Sequence, residues 1–109
     1  MRKAKVLFKG EEAGLLSQYD DGTFEFQYHP SWLTDTGKQD ISLTLPKREE
    51  PYRSNYLFPF FYNMLPEGSN KQVVCQLNRL DQDDYFGLLL TIAKNDAIGA
   101  VTVIKMENQ

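Results

Sequence analysis

The sequence predicts an α+β domain, an antiparallel β-meander of about five strands with three helices packed against it. Three observations predict it. Apolar and polar residues alternate through most of the first half, the period of a strand with one buried face. Turn residues separate the alternating runs, and beyond Asn55 the apolar spacing becomes helical before a last β-branched run. At 109 residues the chain has room for one modest core. It reads as a single domain over residues 1–109, with a polar tail from about Met106.

Ala4, Val6 and Phe8 alternate with Lys3, Lys5, Leu7 and Lys9, which predicts the first strand. Gly10-Glu11-Glu12 reads as a turn and Ala13 to Tyr19 as the return strand. Asp20-Asp21-Gly22 is a turn of the Asp-Gly type that favours hairpins. Phe24, Phe26 and Tyr28 alternate with Glu25 and Gln27, the cleanest half-buried strand in the chain. His29-Pro30-Ser31-Trp32-Leu33 breaks it, because proline donates nothing to a ladder. After a polar loop from Thr34 to Gln39, Ile41, Leu43 and Leu45 alternate with Ser42 and Thr44, predicting a fourth strand closed by Pro46. Lys47 to Asn55 reads as a polar loop.

Ser54 or Asn55 is placed to cap a helix running to about Leu65, with Pro59 near its first turn, where a missing N–H is tolerated. Ser69 or Asn70 opens a second helix to about Leu80, with Val73, Val74, Leu77 and Leu80 on one face and Cys75 on the opposite, polar face. Asp81, Asp83 or Asp84 opens a third, from about Tyr85 to Lys94, with carboxylates at the positive end of its dipole. That helix is apolar around most of its circumference and is expected at the centre of the core. Ala100 to Ile104 predicts the last strand.

The apolar fraction of 41% and charged fraction of 25% are those of an ordinary globular domain. A net charge of -3 gives no electrostatic footprint for nucleic acid. No apolar run approaches the roughly 20 residues that span a bilayer, and the charged N-terminus has no apolar stretch behind it. With one cysteine and no internal disulfide, the expected compartment is the cytoplasm.

Catalytic chemistry finds little to work with. His29 is the only histidine, and a lone histidine makes no metal site of the usual kind. A Cys75–His29 nucleophile pair would need a third orienting group. The three aspartates 81, 83 and 84 suit helix capping and lack EF-hand spacing. The glycines are scattered, so no phosphate cradle forms, and no kinase catalytic loop is present. The expectation is a non-enzyme with no cofactor and no metal.

The stretch from Phe58 to Gly68 carries the functional signal. Phe58, Phe60, Phe61, Tyr62, Met64 and Leu65 crowd onto one short helix that Pro66-Glu67-Gly68 ends. Contiguous exposed apolar side chains mark an association patch. The expected partner-binding residues are Phe58, Phe61, Met64, Leu65, Pro66 and Glu67, with Glu67 at the rim.

Five landmarks then align in order. They are Gly22 to Tyr28 with Pro30 and Trp32-Leu33; Ile41 to Pro46; Phe58 to Gly68; Asp84-Tyr85-Phe86 with Leu88-Leu89; and Asp96 to Val101. On these the chain resembles the N-terminal subdomain of HipA-type serine/threonine kinase toxins over nearly its whole length. Positions for the kinase's ATP site and catalytic loop have no counterpart here. The resemblance is to the split form of the family, in which a small HipS-like protein is separate from a HipT-like kinase and a HipB-like helix-turn-helix protein completes the complex. It implies a non-catalytic antitoxin that binds and restrains the HipT-like kinase, sparing an aminoacyl-tRNA synthetase. The alternative is a subunit that completes the kinase fold without inhibiting it.

Overall fold

The structure, a computed structural model, describes residues 1–63, 65, 72, 76–77, 84–92 and 101–106. Strands β1 (Arg2–Phe8), β2 (Glu11–Gln18) and β3 (Phe24–Tyr28) form a meander, followed by helix α1 (Pro30–Thr34), strand β4 (Tyr52–Ser54), helices α2 (Pro59–Tyr62) and α3 (Tyr85–Ile92), and strand β5 (Val101–Lys105). The strands make one antiparallel sheet in the order β4-β3-β2-β1-β5. This is the predicted α+β architecture of five strands and packed helices.

The turns follow from local chemistry. Lys9 and Gly10 both have positive φ (52° and 83°), as a two-residue hairpin loop that matches strand twist requires. The turn is thus Lys9-Gly10, and Glu11 and Glu12, expected in the turn, already belong to β2. Gly22 (φ 89°) closes the second hairpin by donating to the Tyr19 carbonyl at 2.9 Å. At Gly14 a Cβ would lie 2.5 Å from the Gln27 carbonyl oxygen and 2.8 Å from the Phe26 ring, so no larger residue fits.

Register places the core. Val103, Val6, Gly14 and Tyr28 lie abreast, and beside them Ala4, Leu16, Phe26 and Tyr52. Phe61 of α2 and Phe86 and Leu89 of α3 close over the cluster containing these rows, all three fully buried. The expectation that the last helix is central holds.

Two segments differ from expectation. Pro30, read only as a strand breaker, starts α1, because its fixed φ and missing N–H suit the first helical position. The fourth strand is not Ile41 to Leu45. That segment is a turn in which the Leu45 N–H donates to the Ser42 carbonyl at 3.1 Å, with Ile41 and Leu45 buried and Leu43 97% exposed. The place beside β3 belongs to Tyr52–Ser54, inside the expected polar loop. Side chains hold it there: Arg53 donates to Glu25 at 3.0 Å, Arg48 lies 3.6 Å from the Tyr52 ring centroid, and the Tyr52 hydroxyl donates to the Pro46 carbonyl at 2.5 Å.

α2 begins later than expected, at Pro59 with Phe58 as its cap. Asp84 caps α3, accepting from the Gly87 N–H at 3.0 Å. Arg2 donates two bonds to the same carboxylate, at 2.7 and 3.1 Å, and lies 5.0 Å from the Phe86 ring centroid. The start of β1 is thereby tied to the start of α3. Of the predicted second helix, Gln72, Gln76 and Leu77 are helical, and Leu77, expected on the buried stripe, is exposed. The rest of that helix, including Cys75, lies outside the described residues, as do Asp81 and Asp83.

Candidate functional site

Pro59 fixes the geometry of the aromatic stretch. As the first residue of a one-turn helix it leaves Phe58 and Phe61 three apart on the same side, facing the sheet. Phe58 is 7% exposed and Phe61 fully buried, with the Phe61 centroid 5.9 Å from Phe26, 6.4 Å from Phe58 and 5.2 Å from Phe60. These two expected anchors are core residues here: the platform beneath them is broad enough to take both rings. Leu65 is half-buried against the same core. Met64, Pro66 and Glu67 lie outside the described residues.

The rings that reach the surface are neighbours of those anchors. Tyr62 is 47% exposed and meets Tyr85 of α3 edge-on at 5.6 Å, and Tyr56 is 80% exposed. With the buried Phe24 and Leu57 and the polar Gln18 and Asn55 they line a hollow of about 370 Å³. Nothing in the sequence period singles out Tyr56, which sits at the end of a polar run. The available signal was compositional: a phenol carries an apolar body and a polar tip, and such residues tolerate half-exposure at interfaces.

A second hollow of about 600 Å³ adjoins the first, sharing Phe24 and Asn55, and is lined also by Tyr19, Asp21, Thr23 and Arg53. Its charges are mostly paired. Glu25 accepts from the Tyr19 hydroxyl at 2.9 Å and from Arg53 at 3.0 Å. The first of these bonds raises the Tyr19 hydroxyl above the ordinary phenol range. Asp21 accepts from the Thr23 hydroxyl at 2.6 Å and the Thr23 N–H at 3.0 Å, which holds its carboxyl below the usual carboxylate range. On the far side of Gln18, the Arg2 hydrogen bond lowers the Asp84 carboxyl in the same way.

His29 caps no N–H with its side chain; its Nε2 lies 3.3 Å from Glu12, which also pairs with Lys5 at 3.2 Å. The Lys5 bond is the main cause of the lowered Glu12 carboxyl. Among the described residues no three His, Cys, Asp or Glu side chains gather as metal ligands would, and no helix is long and apolar enough to cross a membrane. What the site offers is a furrow lined by the exposed Tyr56 and Tyr62 beside a more polar hollow.

The HipA N-terminal domain model matches residues 4–104. A solved structure of the N-terminal domain of HipA toxin superposes with a TM-score of 0.72 at 33% identity, covering 100% of this chain and 96% of that one. An uncharacterized protein of Haemophilus influenzae is 36% identical over 103 residues, 94% of this chain and 92% of that protein. The putative kinase Y4mE of Sinorhizobium fredii is 30% identical over 109 residues, 100% of this chain and 26% of the kinase, so the chain spans about a quarter of that relative. The family match and the superposition over the whole chain make one conclusion plain: this chain belongs to the HipA N-terminal domain family.

Proposed function

We propose that this domain is a HipS-like, non-catalytic antitoxin subunit that binds a HipT-like serine/threonine kinase toxin and restrains it, in a cytoplasmic three-component system with a HipB-like helix-turn-helix protein. One observation carries the reading. The same sequence corresponds to a quarter of a putative kinase and to nearly the whole of a small Haemophilus protein. A domain that is built into a kinase in one relative has, as a separate chain, a natural binding surface on the remainder of that kinase.

The furrow supplies the physical means. Exposed Tyr56 and Tyr62 are of the residue type that anchors interfaces, large and rigid with a hydroxyl to satisfy at the rim. Their backing is firm, since Phe24, Leu57, Phe58 and Phe61 behind them are buried. Restraint follows if the docked domain favours an unproductive kinase arrangement, because a ligand shifts an equilibrium by its differential affinity for the two states. Residues 64 to 68 adjoin this surface in sequence, so Met64, Leu65, Pro66 and Glu67 remain proposed contacts, with Tyr56 and Tyr62 taking the roles first given to Phe58 and Phe61.

The test is to mix the purified domain with a HipT-like kinase and follow phosphorylation of an aminoacyl-tRNA synthetase while measuring complex formation. Restraint predicts a complex and a fall in phosphorylation. The presence of this domain inside a full-length putative kinase favours a second reading, a subunit that completes the kinase fold, for which the complex forms and phosphorylation is unchanged or rises. Absence of any complex sinks both.

A further inference from the structure

We propose that Arg2, acting through Asp84 and Gln18, is a positioning residue for the candidate docking surface and sets one wall of the tyrosine-lined hollow. Two residues that line this hollow are Gln18 and Tyr85. Arg2 bonds the first directly: its Nε donates to the Gln18 Oε1 at 3.1 Å and its Nη2 donates to the same oxygen. The amide is thereby oriented, with its NH2 turned away from Arg2. The second it holds through the adjacent Asp84, whose two carboxylate oxygens accept from Nη2 at 2.7 Å and from Nη1 at 3.1 Å. Tyr85 in turn meets Tyr62 edge-on at 5.6 Å, so the start of α3 decides where that aromatic wall stands.

Direction is what the clasp adds. The fully buried Phe86 and Leu89 press α3 onto the core, but apolar burial is non-directional. It fixes how deep the helix lies better than where its first turn stands along the sheet. A two-pronged guanidinium–carboxylate pair adds geometric specificity to its strength. Asp84 also accepts from the Gly87 N–H at 3.0 Å, so the helix cap and the clasp meet on one carboxylate. Arg2 lies 5.0 Å from the Phe86 ring centroid, a cation–π contact that helps keep the guanidinium in place. The pair is partly sheltered, with side chains 41% and 25% exposed, which limits screening by salt. The inference rests on the kinase-docking reading only for what the surface binds, and the ring contact is tested on the domain alone.

The test compares Arg2→Lys, Asp84→Asn, the double variant and Leu45→Ala by NMR cross-relaxation between the Tyr62 and Tyr85 rings. The Phe26–Phe61 ring pair, at 5.9 Å in the core, is the internal standard. Lysine keeps the charge and loses the fork, while asparagine keeps an acceptor for the Gly87 N–H. Each single variant should weaken the Tyr62–Tyr85 cross-peak relative to the standard, and the double variant should weaken it no further. Leu45→Ala, beside Tyr28 and at the other end of β3 from the hollow, should lower stability and leave that cross-peak intact. Affinity of Arg2→Lys for the HipT-like kinase should fall about threefold or more. An unchanged cross-peak in both single variants, or an equal loss in Leu45→Ala, overturns the inference. If the cross-peak weakens while the kinase binds as before, the positioning role stands and the docking reading of this hollow falls. Weaker binding with an intact cross-peak overturns the positioning role and leaves the docking reading in place.

Discussion

Phe24–Tyr28 and Ile41–Leu45 each place three large apolar side chains at alternate positions with two polar ones between them. In the first segment all three rings are buried, at 5%, 0% and 2% exposure. The second buries its outer two residues and leaves Leu43 97% exposed. The backbones differ in their partners. β3 lies between β2 and β4 and bonds to both. Ile41–Leu45 satisfies itself locally: the Ser42 hydroxyl accepts from the Thr44 N–H at 3.2 Å and meets its hydroxyl at 3.0 Å, and the Leu45 N–H returns to Ser42. Serine and threonine side chains that bond nearby backbone compete with a ladder. Alternation thus reports where side chains go only after a neighbouring strand has been found, and the slot beside β3 is taken by Tyr52–Ser54.

The comparison breaks hardest at Phe26. Its ring is fully buried and touches Tyr28 and Phe61, with centroids at 4.9 and 5.9 Å. Phe26→Ala should cost about 3–5 kcal/mol, a large part of the stability of a domain this size, read as a fall in the urea midpoint. Leu45→Ala, from the segment with the same pattern, should cost about 2–3 kcal/mol. It is 3% exposed, but the turn around it can settle into the space more freely than a strand held on both sides. Equal losses at the two sites would argue that the turn is as rigidly held as the sheet.

The same contrast explains what the sequence made legible. β1, β2, β3 and β5 were readable because each has an apolar face and either a hairpin turn or a β-branched run to define it. α3 was readable from its aspartate cap. β4 was not, because three residues show no period and its hold comes from Arg48 and Arg53, residues that read as loop. The site was half legible. Crowding in Phe58–Leu65 announced a surplus of apolar surface, yet which rings emerge depended on the start of α2 at Pro59 and on the width of the sheet beneath. Phe58 and Phe61 went inward, while Tyr56 and Tyr62, with polar tips to keep wet, line the furrow.

Tyr28 joins the two compared segments directly. Its hydroxyl donates to the Leu45 carbonyl and accepts from the Ile41 N–H at 3.1 Å. Tyr28→Phe strands both groups and should cost about 1–3 kcal/mol, with faster amide exchange at Ile41. The effect carries a pH signature. Burial pushes the Tyr28 hydroxyl up to about 12, so the fold favours the neutral phenol. The hydroxyl's contribution is whole below the unfolded value of about 10 and drains away as pH rises towards about 12. The stability gap between wild type and Tyr28→Phe should therefore narrow over that window, and a constant gap would refute the buried, bonded hydroxyl.

Leu43 gives the smallest effect and the sharpest discrimination. If Ile41–Leu45 were a strand with one buried face, its middle apolar residue would lie beside Phe26-like neighbours, and Leu43→Ser would remove a buried side chain and leave a hydroxyl in apolar surroundings. That costs several kcal/mol. In the turn, Leu43 stands at the tip between two polar residues with nearly all its surface in water, so the same change removes almost no buried area. It should alter the urea midpoint by no more than about 0.5 kcal/mol equivalent. The adjacent Ser42→Ala, which deletes the acceptor for the Thr44 N–H, should cost more than Leu43→Ser despite removing a single oxygen. An inverted order, with Leu43 the more sensitive position, would restore the alternating segment to the sheet and dislodge Tyr52–Ser54 from it.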